Sequence, residues 1–139
     1  MATDWKSRLE ADQAAAIVRL SRLPRGVDEV LGLLLLGAES LEELRDGLLN
    51  NRLQQHEELG TKPDPHGFPM EAWADHTVLF DLGHLAVAGI VEYEDNAIVI
   101  LPQYAEAVRT FLLIAFRRHG DCPAKFTNAV NKALRAGVV

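Results

Sequence analysis

The sequence predicts a mostly α-helical fold with one β-hairpin, on three observations. Apolar residues recur at intervals of three and four along most of the chain, which is typical of amphipathic helices. Glycine and proline separate these segments at positions where helices commonly end or begin. Two short runs rich in β-branched residues lie on either side of a turn sequence between residues 90 and 101.

Capping residues place the first three helices. One helix is predicted over 4–21, and a second follows with Asp28 as its N-cap. Ser40 and Glu43 have the spacing of a capping box, in which each side chain satisfies a backbone N–H that the helix leaves unpaired. The third helix is therefore predicted to begin after Ser40 and to end at the C-cap Gly60.

A segment with three prolines, 61–69, interrupts the helical spacing and is predicted to be a loop. Asp75 is the predicted N-cap of a fourth helix over 76–88. Most positions of this helix are apolar, so we expect it to be nearly buried. Its polar remainder is a narrow stripe of Thr77, Asp81 and His84.

The remaining elements are a hairpin and two helices. Residues 90–93 and 97–101 are predicted strands around a turn at 94–96, because Asp and Asn tolerate turn conformations. Pro102 suits the first position of a fifth helix that reaches His119, and Pro123 begins a last helix that Gly137 ends.

Two segments between residues 28 and 101 carry a family pattern. Residues 28–49 predict two helices, and the later segment combines helical spacing, a terminal glycine and a hairpin, at Leu79, Leu82, Ala86, Gly89 and Ile90. This order resembles the winged helix-turn-helix superfamily over about half the chain. The resemblance implies a winged-helix-like centre within one domain of 139 residues. Segments 1–27 and 102–139 are then similar to the flanking dimerisation helices of MarR-like or PadR-like regulators.

The absence of cations from part of the winged-helix-like centre argues against DNA binding through this part of the chain. In the resembled family the third helix enters the major groove, where cations meet phosphates. Residues 75–101 contain no Lys or Arg. We therefore prefer a non-enzymatic regulatory protein that binds another protein through an acidic face. The residues expected to make this contact are Trp73, Asp81, His84, Glu92, Glu94 and Asp95.

Charge is segregated along the chain. The formal net charge is -6, but residues 1–100 hold 8 basic and 18 acidic side chains while residues 101–139 hold 6 and 2. The last helix aligns polar side chains on one face, at Lys125, Asn128, Lys132 and Arg135. This face is either an ordinary solvated surface or a cationic stripe. With Arg117 and Arg118 it supports the alternative function, a DNA-binding transcriptional regulator acting as a dimer through its C-terminal basic helices.

Two apolar clusters leave alternatives open. Residues 111–116 are apolar through more than a helical turn, so they form either a homodimer interface or a helix packed on all sides. The interface candidates are Phe111, Leu112, Leu113 and Phe116. Trp73 and Phe68 border the proline loop, which is either a lid over the core or a binding element with an aromatic anchor.

The sequence also excludes several function classes. Cys122 is the only cysteine, so no intrachain disulfide can form and a cytoplasmic protein is expected. The start lacks signal-peptide features and the apolar runs are too short to cross a bilayer, so no membrane contact is expected.

Chemistry-bearing motifs are sparse. Asp81 and His84 are three residues apart, which suits either a metal-dependent or acid–base site or a hydrogen bond on the helix surface. Because no nucleotide, metal or nucleophile motif accompanies them, we expect neither an enzyme nor a cofactor.

Overall fold

The computed structural model describes residues 4–62, 70–117 and 122–136, with side chains from residue 12 onward. Its elements are α1 (Asp4–Ser21), α2 (Val27–Leu35), α3 (Leu41–Leu59), α4 (Met70–Val87), β1 (Val91–Glu94), β2 (Ala97–Ile100), a 3-10 turn (Pro102–Tyr104), α5 (Ala105–Ala115) and α6 (Ala124–Arg135). The predicted class is confirmed, since the described chain is mostly helical with one two-stranded antiparallel hairpin.

The ends of α3 follow from local capping. Ser40 is the N-cap, and its Oγ accepts a hydrogen bond from the Glu43 backbone N–H at 3.1 Å. The Ser40 hydroxyl also donates to Oε1 of Glu43 at 3.4 Å, so the two side chains are in contact, whereas in a full capping box the glutamate accepts from the Ser40 backbone N–H. Gly60 ends the helix with φ at 68°, a left-handed conformation that glycine adopts without steric cost.

Two predicted N-caps are wrong. Gly26 is the N-cap of α2, and Asp28 lies in the first turn, where its Oδ1 accepts a hydrogen bond from the backbone N–H of Glu29 at 2.7 Å. α4 begins before Asp75, which is an exposed residue within the helix. The reason is burial: Ala74 is fully buried in the core, so α4 continues in the N-terminal direction past the capping signal.

The hairpin has a tight turn and a tie to the helices. Asp95 and Asn96 form its turn with φ at 50° and 67°, as in the turn type whose twist matches the flanking strands. β1 and β2 pair antiparallel, with Tyr93 opposite Ile98. The Ile98 backbone N–H donates to the Glu39 carbonyl oxygen at 2.7 Å, which joins β2 to the connection between α2 and α3.

Side chains from other elements hold both ends of α6. The Ala124 backbone N–H donates to both carboxylate oxygens of Glu58 on α3, at 2.9 and 3.0 Å. At the other end, Nη2 of Arg109 on α5 donates to the Leu134 carbonyl oxygen at 2.7 Å. α5 ends earlier than the predicted fifth helix, at Ala115, and the predicted end of the last helix lies outside the described residues.

One hydrophobic cluster includes side chains from every helix and both strands. α4 contributes one side to it, with Ala74, Val78, Leu82 and Leu85 buried. The expectation that α4 is nearly buried is wrong, because α2, α3 and β1 are its main packing partners and leave the other side open. The large apolar side chains on α4 that remain exposed are Leu79 at 62%, Phe80 at 49% and Val87 at 92%.

Candidate protein-interaction surface

The open side of α4 and the hairpin enclose an apolar groove of about 260 Å³. We call it the α4–hairpin groove, and it is lined by Leu41, Leu79, Leu82, Gly83, Ala86, Val91, Glu92, Tyr93 and Ile98. A second cleft of about 360 Å³ adjoins it, since Leu41 and Leu79 line both. Two adjoining depressions therefore lie along α4.

Acidic side chains border both depressions. Glu42 and Asp75 line the second cleft, Glu92 lines the groove, and Glu94 and Asp95 are exposed on the hairpin. We call these five residues the acidic rim. The hairpin residues Glu92, Glu94 and Asp95 lie on the surface, where sequence reasoning expected them.

The cation nearest to the second cleft is engaged by carboxylates. Arg45 lines this cleft, with Nη2 at 3.1 Å from Oδ1 of Asp46 and Nε at 3.8 Å from Oδ1 of Asp75. Both depressions therefore combine an apolar floor with a negatively charged border.

Sequence reasoning missed the exposed apolar residues of this surface, chiefly Leu41, Leu79 and Tyr93. The available signal was that α4 is apolar around most of its circumference. Such a pattern predicts burial only where neighbouring elements surround the helix, and otherwise it predicts an exposed apolar face.

Asp81 does not belong to the surface, which corrects its assignment to the exposed acidic face. Its side chain is 2% exposed and points toward the start of α2, where a Cβ on Gly26 would lie 2.7 Å from Oδ2. Among the described residues, Oδ2 has no hydrogen-bond partner. Burial, followed by the nearby charges of Glu29 and Asp28, raises the pKa of Asp81 from 3.8 to about 6.

Asp81 and His84 are not brought together. The ring of His84 packs edge-on against Phe80, with centroids 4.7 Å apart, and His76 stacks on the other side of Phe80 at 6.3 Å. Within the described parts of the chain, no group of three His, Cys, Asp or Glu side chains could hold a metal ion. The imidazole of His84 therefore packs against Phe80, whereas the carboxyl of Asp81 lies against Gly26.

Trp73 is half-buried on α4 and packs against the core. The Arg52 guanidinium lies over its ring, 4.6 Å from the centroid, in a cation–π contact. Trp73 lines neither of the two depressions. Phe68, its expected partner in the proline loop, lies outside the described residues.

The polar face predicted for the last helix is confirmed on α6. Its exposed side chains are Lys125, Asn128, Lys132 and Arg135, and its buried ones are Phe126, Val130 and Leu134. Arg117 is exposed just beyond α5. Arg118 falls in a segment outside the described residues.

Two of the four dimer-interface candidates are buried within the chain itself. Leu112 is fully buried and Phe116 is 2% exposed, with the Phe116 ring edge-on to Phe126 at 5.8 Å. They are unavailable to a second copy because α5 packs against α1, α2 and α6. Phe111 and Leu113 are half-buried.

Comparisons with known proteins give no assignment: no family model, curated protein or solved structure matches the chain. Among the described residues, no helix is both long and apolar enough to cross a bilayer. Function is therefore inferred from the chemistry of the surface.

Proposed function

We propose that the protein is a non-enzymatic regulatory protein that binds another protein through the α4–hairpin groove and its acidic rim. The observation that carries the proposal is that Leu79 on α4 and Tyr93 on β1, which both line this groove, are 62% and 61% exposed. Apolar side chains clustered on a surface and bordered by polar residues are typical of protein interfaces.

The order of elements supports a winged-helix-like scaffold for this function. α2, α3 and α4 are followed directly by the hairpin, and the Ile98–Glu39 hydrogen bond ties the hairpin to the connection before α3. In a winged helix, the helix before the hairpin is the one presented to a ligand. Here that position is occupied by α4, whose exposed side is apolar and acidic.

The surface chemistry favours a protein partner over DNA at this face. No Lys or Arg occurs between residues 70 and 101. Phosphates need cations for affinity, whereas the carboxylates of the acidic rim would repel them. An apolar floor gains free energy by excluding water against another apolar surface.

Affinity capture from a lysate, followed by binding assays with the purified partner, tests the proposal. Leu79→Arg places a charge at the junction of the two depressions and should abolish the interaction. Leu53→Arg is the matched control, because Leu53 is 52% exposed on α3 and lines neither depression. Binding that survives Leu79→Arg as well as Leu53→Arg would contradict the proposal.

The exposed cationic face of α6 favours one second candidate, a dimeric DNA-binding regulator that contacts DNA through Lys125, Lys132 and Arg135. A mobility-shift assay at about 50 and 200 mM salt tests it, because phosphate contacts weaken steeply with salt. Salt-sensitive duplex binding that is lost on combining Lys132→Glu with Arg135→Glu, but kept in Lys62→Glu, would replace the protein-binding proposal.

We also propose a cytoplasmic location and a homodimer. The location is supported by cysteine usage: Cys122 is the only cysteine of the sequence, so no intrachain disulfide can form, as is usual in reducing compartments. The homodimer is supported by the exposed part of α5, where Ile114 is 62% exposed beside the half-buried Phe111 and Leu113.

A further inference from the structure

We propose that the α4–hairpin groove binds a cationic amphipathic helix of the partner protein. The helix would place apolar side chains in the two depressions and direct Lys or Arg toward the acidic rim. This inference rests on the proposed function and specifies the chemistry of the partner.

The floor of the groove allows close approach of another backbone. Gly83 lies in the interior of α4 and is exposed, and a Cβ built there would have no described atom within 4 Å beyond its chain neighbours and the backbone of its own helix. Glycine destabilises a helix interior relative to alanine, so no requirement of the fold explains it at this position. Its missing side chain leaves space between Leu79 and Ala86 in which a partner can lie against α4.

The two depressions suit successive anchors on one helix. Leu41 and Leu79 separate them, so a rigid ligand must place one apolar side chain on each side of these residues. Side chains three, four or seven positions apart on a helix project from the same face and meet this requirement.

The negative charge of the acidic rim favours a positively charged partner segment. Glu92 lines the groove, Glu42 and Asp75 line the adjoining cleft, and Glu94 and Asp95 are exposed further along the hairpin, so carboxylates from α3, α4 and the hairpin accompany the two depressions. Basic side chains beside the anchors would complement them, whereas acidic ones would be repelled.

Two faces of a second copy are poor matches for the groove. Two copies of the same face would place the acidic rims opposite each other. The cationic helix α6 lacks apolar anchors, since its large apolar side chains Phe126, Val130 and Leu134 are buried in its own core. Neither of these two faces offers cations beside exposed apolar anchors, so we assign the occupant to a different protein.

Fluorescence polarisation with two labelled synthetic helices tests the inference. Both carry Leu on one face at helical spacing, and the other face carries Lys in one peptide and Glu in its counterpart. The Lys peptide should bind at least about tenfold more tightly than the Glu peptide. Added salt should reduce this difference in affinity, because it screens the charges.

Variants of the protein locate the bound peptide. Leu79→Arg and Gly83→Leu should each weaken binding of the Lys peptide at least about tenfold, as expected for central interface positions. Leu53→Arg should leave it unchanged. Gly83→Leu is informative because the fold has open space at this position, so urea unfolding should show an intact and more stable protein.

Equal binding of the two peptides, absence of binding, or indifference to Leu79→Arg and Gly83→Leu would overturn the inference. A natural partner whose binding is lost in Leu79→Arg, but which contacts the groove through an acidic or extended segment, would also overturn the inference. The proposed function would then remain intact. Failure of the proposed function is distinct, because every natural partner would then bind Leu79→Arg normally.

Discussion

Asp81 places a carboxyl group in the interior, and its Oδ2 has no hydrogen-bond partner in the part of the chain that the structure describes. Ionising this group costs free energy, because burial excludes water and the charges of Glu29 and Asp28, which act on it, are also negative. Gly26 is the residue against which the carboxyl lies, and any larger side chain there would collide with it. The folded protein therefore holds a proton on Asp81 more tightly than the unfolded chain does.

Asp81→Asn should remove a pH-dependent loss of stability. Folding raises the pKa of Asp81 from 3.8 to about 6, so the bound proton stabilises the folded protein. This contribution to the free energy of unfolding is complete below about pH 4 and is lost as the pH rises through about 6. Urea unfolding of the wild type should lose about 2–3 kcal/mol more than Asp81→Asn between about pH 4 and 7. Glu94→Gln, on the exposed hairpin, should show the same pH dependence of the free energy of unfolding as the wild type. The same pH dependence in all three proteins would contradict the expectation.

Local features were predictable from the sequence, whereas the burial of particular faces was not. The cap at Ser40 and the turn at Asp95 and Asn96 depend on residues within a few positions, so their patterns predicted them. The position of Asp81 depends on which side of α4 meets α2 and α3. An apolar helix gives no periodic signal that shows which of its sides is buried. The hairpin carboxylates of the candidate site could therefore be predicted from the sequence, whereas its apolar floor could not.

The helix α6 depends on its neighbours for both termini. Pro123 occupies the N-cap position and has no side-chain hydrogen bond to offer, so the carboxylate of Glu58 supplies the acceptor from α3. Arg109 supplies the donor at the opposite end. A helix of 12 residues is marginal alone in water, so these two contacts help to fix its place in the fold.

Glu58→Ala should destabilise the protein by about 0.5–1.5 kcal/mol, as loss of an N-cap acceptor usually does. Glu57→Ala is the control, since Glu57 is the adjacent exposed glutamate on the same helix. Urea unfolding measures both, and hydrogen exchange of the Ala124 amide should rise in Glu58→Ala alone. Equal stability of the two variants would show that Glu58 does not cap α6.

The molecule as a whole carries its negative charge on one part of the chain and its positive charge on another, with net -10 over residues 1–100 and +4 over residues 101–139. The acidic rim and the cationic face of α6 are the surfaces on which this segregation appears. Self-association through the apolar side of α5 would use neither surface. A dimer formed in this way would leave both available to ligands.

Ile114→Arg should convert a dimer to a folded monomer. Ile114 is 62% exposed on α5, so a charge there disrupts an apolar contact between copies without entering the core. Sizing chromatography with light scattering measures the mass, and circular dichroism checks the fold. Leu53→Arg should keep the mass of the wild type, and an unchanged mass for Ile114→Arg would exclude α5 as the interface.

The Ile98–Glu39 hydrogen bond couples one wall of the groove to the start of α3. Glu39 immediately precedes the N-cap Ser40, and Leu41 is the next residue along, at the groove itself. A ligand that wedges the hairpin away from α4 must therefore pull on the first turn of α3 or break this bond. Occupancy of the groove would then be detectable as altered exchange at the Glu43 amide, which Ser40 protects.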